Sequence, residues 1–150
     1  TTLFIDLAFT DARRVNLLEQ SKQFLIRQWD QIEQVATGCA RGDIVEIKNA
    51  TAPATVIQRG GNFCIQVYAD ELAAGHVDEL EKNVGEKLHG TLDGSYRGSL
   101  ALSVPASAGM ATICEVFDAF TAKTGVQWYF GNVYRNFDDV DDETLLDWWQ

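Results

Sequence analysis

The side chains with the greatest chemical potential are three cysteines, two histidines and a run of carboxylates near the end of the chain. Cys39, Cys64 and Cys114 are far apart and form no CxxC pair. His76 and His89 lie in no HExxH or HxxxH frame, and the cysteines do not cluster beside either. Zinc needs three or four converging nitrogen or sulfur ligands, so no metal site is expected. A cysteine nucleophile needs a neighbouring base and an oriented thiolate. Cys64 falls in mid-strand and Cys114 beside a helix core face, both places for inert buried thiols, while Cys39 follows a helix end and is the most exposed. An odd cysteine count in a chain able to build its own core reads as free thiols in a reducing compartment, which makes the cytoplasm the expected location.

Glycines gather in His89-Gly90-Thr91-Leu92-Asp93-Gly94-Ser95-Tyr96-Arg97-Gly98-Ser99. Neither GxxxxGK[ST] nor GxGxxG is present, and the order Gly94-Ser95-Tyr96-Arg97-Gly98 is not the GxSxG of a nucleophile elbow. The stretch reads as a loop, with Tyr96 and Arg97 as contact residues if it binds anything. No catalytic residue and no cofactor is expected. Arg41-Gly42-Asp43 reads as a simple turn, and the sequon Asn49-Ala50-Thr51 matters only in a secreted chain.

The acidic end carries more information. Twelve basic against 22 acidic residues give a net charge of −10. Residues 136–150 hold Asp138, Asp139, Asp141, Asp142, Glu143 and Asp147 with no Lys or Arg. Asp139, Asp141 and Glu143 alternate as in a calcium loop, but Thr144 stands where that loop requires Gly. One explanation is a capped helix with acids in its first turn, which the helix dipole favours. It accounts for Asp141, Asp142 and Glu143 but not for Asp138, Asp139 and Asp147, nor for Trp148 and Trp149 beside them. Aromatic side chains among carboxylates form a contact patch for a cationic partner, the tryptophans anchoring and the acids steering. The competing explanations are that the tryptophans pack the last element onto the body and that the acids serve solubility. So negative a surface repels phosphate backbones and anionic lipid, so nucleic acid and membrane are excluded as partners and a basic protein is favoured.

The elements that must position these groups follow from periodicity. Residues 2–9 alternate as a strand. Thr10 or Asp11 caps a long helix with Leu17, Leu18, Phe24, Leu25, Trp29, Ile32, Val35 and Ala36 on one face, ended by Gly38. Residues 43–49, 54–59 and 63–68 read as an antiparallel meander, its second turn at Gly60-Gly61. Val77, Leu80, Val84 and Leu88 define an amphipathic helix with Lys87 and His89 in its last turn, ended by Gly90. Strand Leu100–Val104 stops at Pro105, a helix runs from about Ser107 to Gly125, and aromatic residues fill a strand over 126–134. Asp141 to Trp149 reads as a short helix with Val140 and Leu145 as its hydrophobic staple.

The order predicts a single α+β domain over residues 1–150, a mostly antiparallel sheet of about five to six strands with three to four helices packed on it. Its longest apolar runs are far below the ~20 residues of a membrane span. Size, acidity, absence of catalytic motifs and mixed α+β order resemble the small immunity proteins of bacterial toxin systems, those of contact-dependent growth inhibition in particular. The stretch Trp128 to Trp149 is the best local expression of that likeness. The resemblance implies a cytoplasmic, non-enzymatic inhibitor that binds a cognate toxin domain, often a basic nuclease, and blocks its active site. Two alternatives remain from the residues themselves: a small-molecule enzyme with its site near the Gly90–Ser99 loop, and a scaffold that self-assembles through strand 126–134 or the terminal tryptophans.

Overall fold

The computed structural model describes residues 3–6, 38–47, 55–96, 98–136 and 139–150. The long helix expected after Thr10, the sequon, Arg97 and Asp138 lie outside them. The class is α+β, as expected, but the strands form two antiparallel sheets rather than one. Strands β1 (Leu3–Asp6), β2 (Ile44–Ile47) and β3 (Thr55–Gln58) make a three-stranded sheet in the order β1-β2-β3. Strands β4 (Asn62–Tyr68), β5 (Thr91–Tyr96), β6 (Ser99–Pro105) and β7 (Gln127–Phe130) make a four-stranded sheet in the order β5-β6-β4-β7.

The described residues contain two α-helices, α1 (Ala74–Leu88) and α2 (Met110–Thr124), against the three to four expected. Both lie close to their sequence expectations. Leu80, Val84 and Leu88 of α1 and Ile113, Phe117 and Phe120 of α2 are buried. They pack with Phe63, Ile65 and Val67 of β4 and Leu100, Leu102 and Val104 of β6, which forms the core. Burying each of these side chains contributes about 1.5–3 kcal/mol. His89 takes the left-handed C-cap conformation at φ 55°.

The expected meander over 43–69 breaks at its second turn. β3 pairs with β2, whereas β4 pairs with β6 and β7. The reason lies in Asp43, a fully buried carboxylate. It accepts hydrogen bonds from the Gly60 N–H at 2.7 Å, the Ala40 N–H at 3.0 Å and the Arg59 guanidinium at 3.1 Å. Arg59 also donates to the Gly38 carbonyl at 2.6 Å. These bonds hold the chain between β3 and β4 against the 38–43 segment instead of letting it close a hairpin. Any Cβ at Gly60 would overlap the Gly42 backbone, so the two glycines make this close approach possible.

Residues 90–99 also depart from expectation. They are not a loop: β5 spans most of them and turns tightly into β6, with Tyr96 opposite Ser99. The register shift between Leu92 and Gly94 leaves Asp93 unpaired as an edge-strand irregularity, while Gly94 stays in the ladder opposite Ala101. The final helix is absent too. Tyr134 and Leu145 form an antiparallel bridge, and the last residues are turns. Backbone groups there bond across the chain, and a nine-residue helix is too short to compete by itself. Val140 is 90% exposed, so no hydrophobic staple forms.

Removing the Asp43 carboxylate while keeping Arg59 leaves a partly buried guanidinium without its counter-charge and the Ala40 and Gly60 amides without their acceptor. Asp43→Ala is expected to cost about 3–5 kcal/mol, read by urea denaturation. A loss under 1 kcal/mol would contradict the role given to Asp43.

Candidate docking site

The site is built outward from the end of β7. Gly131 continues the ladder once more, its N–H donating to the Cys64 carbonyl at 2.8 Å. Next comes Asn132, fully buried, whose side chain imitates a strand backbone. Its Oδ1 accepts from the Cys64 N–H at 2.9 Å, and its Nδ2 donates to the Asn62 carbonyl at 2.9 Å. The Asn132 carbonyl in turn accepts from Trp148 Nε1 at 2.9 Å. One residue therefore links the C-terminal segment to the central strand, its side chain bonding β4 and its backbone carbonyl bonding Trp148.

The tryptophans pack on the body, the competing explanation at the sequence level. Ring centroids of Trp148 and Trp149 lie 5.1 and 5.6 Å from that of Phe63 and 5.4 Å from each other. The Arg59 guanidinium sits 5.3 Å from the Trp148 ring centre, a cation–π contact. Both indoles remain half-buried, not enclosed.

Between these anchors the chain makes a closed excursion. Its neck is tied by Arg135 N–H to the Thr144 carbonyl at 2.9 Å and Leu146 N–H to the Val133 carbonyl at 2.8 Å. Within it, Asp139 Oδ1 accepts from the Asp141 N–H and Asp142 Oδ1 from the Thr144 N–H, each at 3.1 Å. Asp142 also accepts from Arg135 at 3.1 Å. The Thr144 hydroxyl and amide, and then Arg135, hold the Asp142 carboxyl below the usual carboxylate range. Asp142 thus serves the loop's own structure. Asp139, Asp141, Glu143 and Asp147 are exposed. Val140 stands among them at the tip, with Leu145 54% and Tyr134 39% exposed at the neck.

Of the residues singled out from sequence, the structure brings together Asp139, Asp141, Asp142, Glu143, Asp147, Trp148 and Trp149. It separates Tyr96 from them. Tyr96 lies at the Tyr68 end of the sheet, whereas the tryptophans pack at the Phe63 end, about 17 Å away along β4 at about 3.4 Å per residue. Asn132 was missed in sequence. The dipeptide Gly131-Asn132 is a turn signal that would have ended the aromatic strand at Phe130, where it does end.

Other chemistry is muted. Burial pushes the Cys39 thiol up to about 11, with Asp43 adding to the rise and Arg59 opposing it. Burial pushes Cys64 up to about 12, reinforced by Cys39 and Asp93. Both are neutral thiols near pH 7, unsuited to nucleophilic attack. Among the described residues no three His, Cys, Asp or Glu side chains converge in a way that could hold a metal. Two open grooves flank α1. One, of about 570 Å³, runs between α1 and α2 beneath His76, Lys87 and Lys123. The other, of about 480 Å³, lies against Arg41, Gly90 and Asp93. In the second, three polar groups engage one another: Asp93 accepts from Ser103 and Thr91, and Arg41 reaches both Thr91 and Asp93. No described helix is long and apolar enough to cross a membrane.

Fold and site together define a small α+β protein with two antiparallel sheets and an acidic loop tied to the end of one of them. The chain belongs to the family described as Domain of unknown function (DUF4265), whose model matches residues 23–128. No curated protein and no solved structure matches it.

The two thiols ionise in the folded chain at about 11 and 12, against 9.0 when unperturbed. Unfolded chains therefore lose these protons first, and stability is expected to fall as pH rises above 9, by up to about 1.4 kcal/mol per pH unit for each thiol. Urea melts at several pH values should show a shallower decline in Cys64→Ala than in the wild type; identical slopes would contradict the assignment.

Proposed function

We propose that this chain is a non-enzymatic binding protein that docks a basic protein domain on its C-terminal acidic loop and thereby neutralises it. The observation that carries the reading is the loop itself. It is closed by backbone hydrogen bonds at its neck, turns Asp139, Asp141 and Glu143 outward, and holds Val140 at the tip with 90% of its surface in solvent. A carboxylate cluster supplies steering, and an apolar tip among the carboxylates supplies area for a desolvated contact. Tying the loop down before binding lowers the ordering cost of association.

The resemblance to immunity proteins of toxin systems gives the partner its class: a toxin domain whose cationic cleft is built for phosphates. Carboxylates on a fixed loop occupy such a cleft in place of the phosphate groups. Nucleic acid and anionic membrane are not partners on this reading, and the cytoplasm is where it would act. In the Arg41–Asp93 groove, Arg41, Thr91 and Asp93 are bonded to one another, which leaves them no free group for an enzyme reading.

The test is association with the product of the neighbouring reading frame, measured by stopped flow with the intact chain. The on-rate is expected to fall at least about tenfold as ionic strength rises from about 0.01 to about 0.15 M. Replacing Asp139, Asp141, Glu143 and Asp147 by Asn or Gln, with Asp142 kept to preserve the loop, is expected to weaken binding by about 2 kcal/mol or more. Unchanged affinity in that variant would refute the acidic loop as the docking surface.

A further inference from the structure

We infer that the outer edge of β7, to which no described residue bonds, is a second part of the docking surface and accepts an extended segment of the basic partner as an added strand; this rests on the binding reading above. The four-stranded sheet has two outer strands, β5 and β7. The β5 edge is blunted. Its register shifts between Leu92 and Gly94, and Asp93 lies in an ion pair with Arg41. Irregular pairing and charge are the usual protections of an exposed edge.

β7 has neither. Its sequence, Gln127-Trp128-Tyr129-Phe130, contains no charge and no proline, and its register with β4 is unbroken. The Gly131 N–H bond to the Cys64 carbonyl fixes which backbone groups face inward. Antiparallel alternation then turns the N–H and C=O of Gln127 and Tyr129 toward β4 and those of Trp128 and Phe130 outward. Among the described residues none bonds to these four outward groups.

The occupant is set by charge. Acidic groups border the strand on several sides. Asp118 accepts from Trp128 Nε1 at 2.9 Å, Asp70 and Glu71 follow Tyr68 opposite Gln127, and the acidic loop begins a few residues beyond Phe130. A second copy of this chain would bring −10 against −10, which disfavours self-pairing. An extended segment with lysine or arginine at alternate positions fits instead. Its side chains on one face would meet Tyr129 and Tyr68, whose rings lie 6.0 Å apart and are about half exposed. Cations over such rings gain a further attraction. Backbone bonds to Trp128 and Phe130 would give the affinity, and alternate side chains the selectivity.

The test uses the intact chain and two blocked eight-residue peptides, one alternating lysine with valine and one alternating lysine with proline. They carry equal charge, but the second lacks half of its backbone donors. Amide exchange is followed by NMR. With the lysine–valine peptide saturating, the Trp128 and Phe130 amides are expected to exchange at least about tenfold more slowly, and the lysine–proline peptide to bind at least about tenfold more weakly. If both peptides bind equally, with changes confined to residues 139–147, strand addition is overturned while acidic docking stands. If neither binds, both fall. A concentration-dependent dimer in sedimentation of the free chain would assign the edge to a second copy and overturn the inference.

Discussion

The C-terminal segment depends on one amide side chain. Where β7 ends, Asn132 replaces a step of backbone ladder, bonding both Cys64 and Asn62 of β4, and its own carbonyl receives the Trp148 indole. It is fully buried, so its polar atoms must be satisfied within the protein, and they are. Without that anchor the Asn132 backbone, whose carbonyl accepts the Trp148 indole N–H, would lose both of its ties to β4. The acidic loop hangs between Asn132 and Trp148. A single buried polar residue thus couples the core, through β4, to the charged surface.

Asp43 plays the corresponding part between the sheets. Its carboxylate gathers Ala40, Arg59 and Gly60, and Arg59 carries the connection on to Gly38 and to the Trp148 ring. Gly38 in turn donates to the Gly131 carbonyl at 2.6 Å, directly beside Asn132. The two polar nodes are therefore neighbours along one network. A buried charge is costly unless paired and hydrogen-bonded, and Asp43 has both forms of compensation. Cys39, next to this network, keeps its proton partly because Asp43 is near.

What could be read from sequence was what periodicity controls. The helices ending at His89 and Gly125 show three-and-four spacing, and both appear where that spacing puts them. The alternation of Phe63, Ile65 and Val67 marked a strand, and all three residues are buried. What could not be read depends on contacts far apart in the chain. Gly60-Gly61 has the composition of a hairpin turn, but Asp43, 17 residues earlier, takes the Gly60 amide and sends the strand into another sheet. Gly94 and Ser95 have loop composition, yet an edge strand tolerates them because it buries little. Trp148 and Trp149 allowed two readings, anchors beside acids or packing onto the body, and the position of Phe63 decides for packing. The outward acids were legible; the loop that orders them was not, because its hydrogen bonds join residues 133–135 to residues 144–146 and have no periodic signature.

The functional account requires the acidic residues to form a prearranged surface and not a tail that samples solvent freely. Order in that stretch is what separates a docking loop, with its entropy cost met in advance, from hydrophilic cover. Backbone order parameters from nitrogen-15 relaxation test this most directly. Residues 139–147 are expected to show values near about 0.8, close to the rigid sheet, falling below about 0.6 in Asn132→Ala. Values below about 0.6 in the unaltered chain would contradict the account.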